Sequence, residues 1–298
     1  MIKNLPPTFT VGIATCYGGE NLIKTAESII ASKGIGKFRF IVVADTVPIK
    51  KEILKRFKTL GVEVYENKDR GSQAKKFRQI IDKTDTEVLI FTQDDVEFEG
   101  YAVLEVLKKF ADDRKTTFVV TRVKPLSAKT LLEKIIEIGV QGTYKVGEQW
   151  RGGDNYLLAN GRCMAFRTKH LKKMNVLEGV ANLDAYLYLE NKRWGGKFKY
   201  ARRAIVNNKS PEIMDEHMHQ SSRFQNSRQE LEKYFRDLEA EYKIPTIVYI
   251  KAGFLEFLAN PFFTTLYIFL FAYSRLKKQN TKKAIDPLWK ADISTKKI

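Results

Sequence analysis

Apolar runs and amphipathic stretches alternate over the first two-fifths of the chain. Phe9 to Ala14 is rich in β-forming residues and ends at the turn Gly18-Gly19. Glu20 to Ser32 sets Leu22, Ala26, Ile29 and Ile30 at helical spacing and stops near Gly34 and Gly36. Phe38 to Ala44 is a second apolar run, ending at Asp45; Ile49 to Leu60 reads as a helix stopped by Gly61. Val62 to Tyr65 predicts a third strand, Ser72 to Lys83 a helix, and Glu87 to Phe91 a fourth strand. Near-continuous apolar strands between amphipathic helices predict an α/β fold, a mostly parallel central sheet flanked by helices. Ligands of such sheets gather at the carboxyl ends of the strands. Tyr17, Asp45 and Asp94-Asp95 all fall just after strand ends and are expected to converge on one crevice.

The pattern then changes. From about residue 115 to 207 it is less regular, with a Gly-rich polar loop, Gly147 to Asn155, and a strand-like Asn160 to Phe166. Ser227 to Tyr242 reads as a charged helix. Ile244 to Tyr273 is strongly apolar and aromatic. Within it, Phe257 to Tyr273 carries no charge but falls just short of the roughly 18 to 20 residues needed to span a bilayer. Asn260-Pro261 breaks a helix there. Arg275, Lys277, Lys278, Lys282 and Lys283 follow, and basic flanks favour the cytosolic side. The expectation is a re-entrant or interfacial helix pair hinged at Asn260-Pro261, with both ends cytosolic; a buried core pair is the alternative.

Charge and cysteine content narrow the classes. The 298 residues carry a net charge of +17, which points to anionic partners: phosphorylated small molecules, an acidic membrane surface or nucleic acid. Two cysteines, Cys16 and Cys163, make no disulfide framework and suit a reducing compartment. Met1 to Phe9 lacks the apolar core of a signal peptide.

Two adjacent carboxylates at a strand end, Thr92-Gln93-Asp94-Asp95, are costly unless a cation neutralises them. They read as a metal–phosphate site or as an acidic pair at a helix N-terminus. Asp45 is an acceptor for a base or ribose, or a turn residue. Arg70-Gly71-Ser72 with Lys75 and Lys76 is a phosphate site at a helix start, or a solvated one. Asp184, among apolar helical residues, is a base of raised pKa, a helix N-cap with the helix starting at Ala185, or both. Gln220, Arg223 and Phe224 suit a sugar or diphosphate, or simply a helix surface. His217 and His219 flank Met218 without an accompanying cysteine cluster, a poor basis for zinc.

Taken in order, these residues resemble a family 2 glycosyltransferase with a GT-A (Rossmann-like) fold, over roughly Thr8 to Leu231. Val11-Gly-Ile-Ala-Thr-Cys-Tyr17 is similar to the family's first strand, with Thr15 and Tyr17 cupping the nucleotide base. Asp45 matches the base-binding aspartate, and Thr92-Gln-Asp-Asp95 the Asp-x-Asp motif. Asn182-Leu-Asp184 resembles the segment holding the catalytic base. Gln220-x-x-Arg223-Phe224 resembles the Gln-x-x-Arg-Trp motif of membrane-bound members. Gln93, Leu183 and Phe224 depart from the usual acid, Glu and Trp.

The resemblance implies an inverting transfer from a nucleotide-diphosphate sugar, UDP-linked, to a glycan or lipid-linked acceptor at the cytosolic membrane face, in polysaccharide biosynthesis. Asp184 would be the base. Thr15, Tyr17, Asp45, Arg70, Lys76 and Asp94 would bind the nucleotide. Gln220, Arg223 and Phe224 would meet acceptor or diphosphate, and Asp95 would hold Mn2+ or Mg2+. No specific nucleic acid is expected. The chain divides into a catalytic domain (1–226), a charged helix (227–243) and a membrane-associated helical segment with a basic tail (244–298). The rivals are a sugar-phosphate nucleotidyltransferase, whose Gly-rich basic loop after the first strand has no counterpart here, and a non-enzymatic basic membrane- or nucleic-acid-binding protein with a decayed site.

Overall fold

A computed structural model describes residues 8–277, Leu288 and 294–296. Along the chain run β1 (Phe9–Thr15), α1 (Glu20–Ile30), β2 (Arg39–Ala44), α2 (Lys51–Thr59), β3 (Val62–Glu66), α3 (Gln73–Lys83), β4 (Val88–Gln93), β5 (Val96–Phe98) and α4 (Ala102–Asp112). Then follow β6 (Thr116–Pro125), α5 (Leu131–Gln149), β7 (Cys163–Arg167), the short α6 (Thr168–Leu171), α7 (Leu183–Arg193) and β8 (Lys197–Asn208). The chain continues with α8 (Met214–Leu231), the short α9 (Leu238–Tyr242), α10 (Thr246–Ala259) and α11 (Pro261–Leu276).

The strands form one sheet in the order β3-β2-β1-β4-β7-β6-β8-β5. β1, β2, β3 and β4 pair in parallel, as the alternating pattern predicts. β7 enters antiparallel between β4 and β6, and β5 lies antiparallel on β8, so the sheet is mixed but mostly parallel. Side chains alternate between two apolar cores, as the two-residue strand period requires. Val88 and Ile90 face the core shared with α1, α2 and α4. Leu89 and Phe91 face the core shared with α3 and α7. A Cβ on Gly12 would lie 2.4 Å from Ile80 Cγ2, so the absence of a side chain there lets α3 press onto β1.

Three stretches differ from the pattern-based expectation. The irregular middle contains α5, whose start is a capping box. The Glu133 N–H donates to Thr130 Oγ1 (3.2 Å), and the Thr130 N–H donates to Glu133 Oε2 (2.8 Å). The strand expected from Asn160 begins only at Cys163, because Asn160 to Arg162 forms the turn that feeds β7. The charged helix expected over 227–242 is divided. α8 starts far earlier, at Met214, and ends at Leu231; α9 is separate, and its N-cap Asp237 has a left-handed φ of 59°. Aspartate tolerates that conformation better than most residues, so the helical path breaks there.

α10 and α11 meet at Asn260-Pro261, the expected hinge, with the proline at the first helical turn where its missing N–H costs nothing. Both helices pack on α5. Lys145 pairs with the buried Glu256, and a Cβ on Gly139 would lie 2.1 Å from Tyr267, so α5 and α11 touch through the glycine. Among the described residues, no helix is long and apolar enough to cross a membrane. Lys278, Lys282 and Lys283 of the expected basic tail lie outside the described residues.

Candidate active site

The antiparallel register of β4 and β7 is what assembles the cleft. Thr92 lies opposite Cys163, so the acids following β4 and the turn preceding β7 come to the same end of the sheet. Arg162 Nη1 donates to Gln93 Oε1 (3.0 Å) and to Asp95 Oδ2 (2.8 Å). Beside it the Gly161 N–H donates to Asp184 Oδ2 (3.0 Å). A Cβ on Gly161 would stand 3.3 Å from Gln93 Nε2 and 3.7 Å from Asp184 Oδ2, so a single glycine separates the Asp-x-Asp segment from the base candidate. Gln220, Arg223 and Phe224 of α8 line the same cleft, with Phe224 strongly exposed at its rim.

Asp184 is not the N-cap of α7. Asn182 occupies that position, and Asp184 sits within the first turn, where its Oδ1 accepts the Ala185 N–H at 2.8 Å. Burial pushes the Asp184 carboxyl above its ordinary range, against the opposing pull of the Ala185 N–H, the Arg223 guanidinium and the Gly161 N–H. A carboxylate of raised pKa at a cleft wall is suited to taking a proton. The loop before it is tied to α8 by the buried Glu230. That carboxylate accepts the Ala181 N–H (2.6 Å), the Asn182 N–H (3.1 Å) and the Asn182 side-chain amide (2.6 Å). Arg223 Nη2 donates to the Ala181 carbonyl at 3.1 Å, so α8 holds the same loop twice.

The other predicted residues form a second cluster at the ends of β1 and β2. Asp45 Oδ2 accepts from Lys76 Nζ (2.6 Å) and the Gly71 N–H (2.9 Å). Lys76 Nζ also donates to Cys16 Sγ (3.3 Å) and the Gly71 carbonyl (3.2 Å). Its three donors are thus committed inside the protein. This corrects the expectation of a phosphate-facing lysine: Lys76 is buried and holds Asp45. Burial alone would push the Asp45 carboxyl up, but Lys76, the Gly71 N–H and Thr46 outweigh it and hold the group below the usual carboxylate range. Thr15 is also buried. Its hydroxyl donates to Asp94 Oδ2 and accepts the N–H groups of Tyr17 (3.3 Å) and Gly18 (3.2 Å), so it shapes the turn after β1. The Thr15–Asp94 bond joins this cluster to the cleft. Tyr17 is partly exposed beside Cys16. Arg70, next to Gly71, donates through Nη2 to the Leu288 carbonyl at 2.5 Å.

A divalent cation would depend chiefly on Asp95. Among the described residues no group of three His, Cys, Asp or Glu side chains is arranged to hold a metal. Mn2+ and Mg2+ carried on a phosphorylated ligand need only one or two protein carboxylates, the rest of the shell being phosphate and water. The donor set fits a cation delivered with a diphosphate, and does not fit a resident metal caged by protein.

The residues reasoning from sequence missed are Gly161, Arg162 and Glu230. Their roles depend on strand register and helix packing, and no local motif marks them.

The model of the family described as "Glycosyl transferase family 2" matches residues 10–174. No curated protein matches the chain in sequence. Among solved structures, the mannosyltransferase PcManGT from Pyrobaculum calidifontis, in complex with GDP-Man and Mn2+, is similar with a TM-score of 0.59 at 14% identity. That likeness covers 94% of this chain and 78% of that one. GalNAc-T7 with UDP, GalNAc and Mn2+ gives a TM-score of 0.53 at 15% identity, over 69% of this chain and 43% of that one. At such identities the structures establish a GT-A-like fold. The family model covers more than half of the sequence, and on that ground the chain belongs to glycosyl transferase family 2 and is a glycosyltransferase that draws on a nucleotide-sugar donor.

Proposed function

We propose that the enzyme inverts the anomeric centre of a nucleotide-diphosphate sugar, UDP-linked, as it moves the sugar to a hydroxyl of a glycan or lipid-linked acceptor at the cytosolic face of a membrane, in polysaccharide biosynthesis. The observation that carries this is the placement of Asp184: a carboxylate of raised pKa, held by two N–H groups, one glycine away from the Asp-x-Asp segment. In this reading Asp184 takes the proton of the acceptor hydroxyl. The acceptor oxygen forms the new bond to the anomeric carbon from the face opposite the donor diphosphate. The old bond breaks, and the nucleoside diphosphate leaves with its electron pair. Asp95 would hold Mn2+ or Mg2+ on the diphosphate, where the cation stabilises the charge of the leaving group. Arg223 and Gln220 line the acceptor and diphosphate side. Asp45, with Tyr17 and Arg70 nearby, forms the nucleotide end.

A panel of UDP- and GDP-linked sugars, with Mn2+ and then with EDTA, tests the donor. GDP-mannose belongs in it because one structural neighbour is a complex with GDP-Man. Release of UDP from a UDP-sugar, stimulated by Mn2+, is the expected result. Release from GDP-sugars alone overturns the UDP assignment, and no release from any donor overturns the reading as a whole.

The membrane part of the proposal rests on α10 and α11. Ile247, Ile250, Phe254, Leu258, Phe262 and Phe269 are each about three-fifths exposed or more. So large an apolar surface, next to Arg275 and Lys277 in a chain of strongly positive charge, suits an anionic lipid interface. The helices would lie in the headgroup region with the catalytic domain on the cytosolic side. Replacing Phe254 and Phe269 by Ser is expected to weaken co-sedimentation with phosphatidylserine-containing vesicles more than tenfold, since each buried Phe contributes roughly 1.5–3 kcal/mol. Retention of wild-type binding would sink the interfacial assignment.

A further inference from the structure

Arg162 is assigned no role by the residues of the motif, yet its geometry in the cleft is constrained at backbone and side chain. Its backbone is held on both sides: its N–H donates to Asn160 Oδ1 (3.2 Å), and its carbonyl accepts from Thr92 Oγ1 (2.5 Å). The side chain is about one-fifth exposed and lines the cleft with Asp95, Asp184 and Arg223. One nitrogen, Nη1, serves both Gln93 and Asp95. Among the described residues, Nε and Nη2 donate to nothing.

A guanidinium carries five N–H donors in a rigid planar fork and keeps its charge at any working pH. With one nitrogen engaged, the remaining edge matches the oxygens of a phosphate group, which arginine recognises bidentately. The substitution at position 93 matters here. A second acid would bind the guanidinium with full charge, whereas the Gln93 amide is a weaker partner. Asp95 is left as the main anchor of Arg162, and the same carboxylate is the candidate ligand for the divalent cation.

We infer that Arg162 is a protein-borne cation for the donor diphosphate: it neutralises Asp95 through Nη1, presents its other edge to the diphosphate oxygens, and competes with the divalent cation for Asp95. The inference rests on the reading of this cleft as the donor site. Two consequences follow from the shared carboxylate. Diphosphate recognition persists in part without metal, because one cation is covalently part of the chain. Removal of Arg162 takes away one competitor for Asp95, so metal alone binds better.

Calorimetry in EDTA with UDP, GDP, UMP and GMP reads the first consequence. The wild type is expected to prefer the diphosphates. Arg162→Ala is expected to lose about tenfold in diphosphate affinity while its monophosphate affinity is unchanged, and that unchanged affinity also shows that the fold is intact. Arg162→Lys, which keeps the charge but not the fork, is expected to fall between them and serves the same measurement if the alanine variant does not fold. The second consequence is read by electron paramagnetic resonance of free Mn2+ titrated into protein without nucleotide: Arg162→Ala is expected to bind Mn2+ severalfold more tightly. An unchanged diphosphate preference, or an unchanged Mn2+ affinity, overturns the role of Arg162 and leaves the donor-site reading standing. Absence of binding of all four nucleotides to the wild type overturns the donor-site reading and this inference with it.

Discussion

Asp184→Asn is expected to reduce transfer by about 10²–10⁴, the range a positioned general base contributes, while nucleoside diphosphate affinity stays near that of the wild type. The substitution keeps the size of the side chain and one acceptor oxygen. One of the two N–H groups now held by the carboxylate, Gly161 or Ala185, loses its partner, which costs about 1 kcal/mol. Removing a carboxylate whose charge burial already disfavours offsets that cost, so the variant is expected to fold normally. The pH dependence gives a second readout. Only the ionised carboxylate accepts a proton. With its pKa raised by burial, Asp184 becomes protonated as pH falls through a range above that of an ordinary carboxyl, and turnover falls with it. The acid limb of the rate profile should therefore lie above the ordinary carboxylate range. Wild-type turnover in Asp184→Asn would remove this residue from the chemistry. An acid limb at the ordinary carboxylate range would remove burial as the tuning device.

The parallel half of the sheet was legible because β1, β2 and β4 are short apolar runs set between turn residues and amphipathic helices, the pattern of strands buried on both faces. The acids were legible for the same reason: Asp45 and Asp94-Asp95 follow those runs directly. Asp184 was legible as a carboxylate among apolar residues, since α7 is buried along almost its whole length. What remained hidden is non-local. That β7 runs antiparallel beside β4, and thereby sets Gly161 and Arg162 against the acids, depends on strand order, which no spacing in the sequence encodes. Glu230 sits in a run of charged residues and looks like a solvated helix face, yet it is buried under the Asp184 loop. α8 lacks the apolar stripe that would have marked its start near Met214. α5 is a different case. Its capping box, Thr130 to Glu133, is local and was present to be read.

Lys76 shows the same limit at its sharpest and carries the second large expected effect. A lysine at a helix start reads as solvated, but Lys76 and Asp45 form an ion pair with side chains 2% and 0% exposed. Replacing either partner alone strands the other charge in the interior, so Lys76→Met and Asp45→Ala are each expected to destabilise the fold by about 3–5 kcal/mol. The double variant leaves no uncompensated charge and should cost clearly less than the sum of the two; a merely additive cost would show that the pair is not coupled. The pH dependence separates the singles further. In the wild type, the Asp45 carboxyl lies below its unfolded value, so its contribution is complete above the ordinary carboxylate range and is lost only as pH falls through the lowered folded value. Without Lys76, only the Gly71 N–H and Thr46 oppose burial, so the folded pKa rises from its wild-type position. The buried carboxylate is then a penalty that is relieved by protonation as pH falls. Relative to the wild type, Lys76→Met should therefore gain stability as pH falls, a difference that urea unfolding at neutral and at mildly acidic pH measures directly. The same variant is expected to bind nucleotide poorly at pH 7, because Asp45 loses the contact that fixes it at the end of β2.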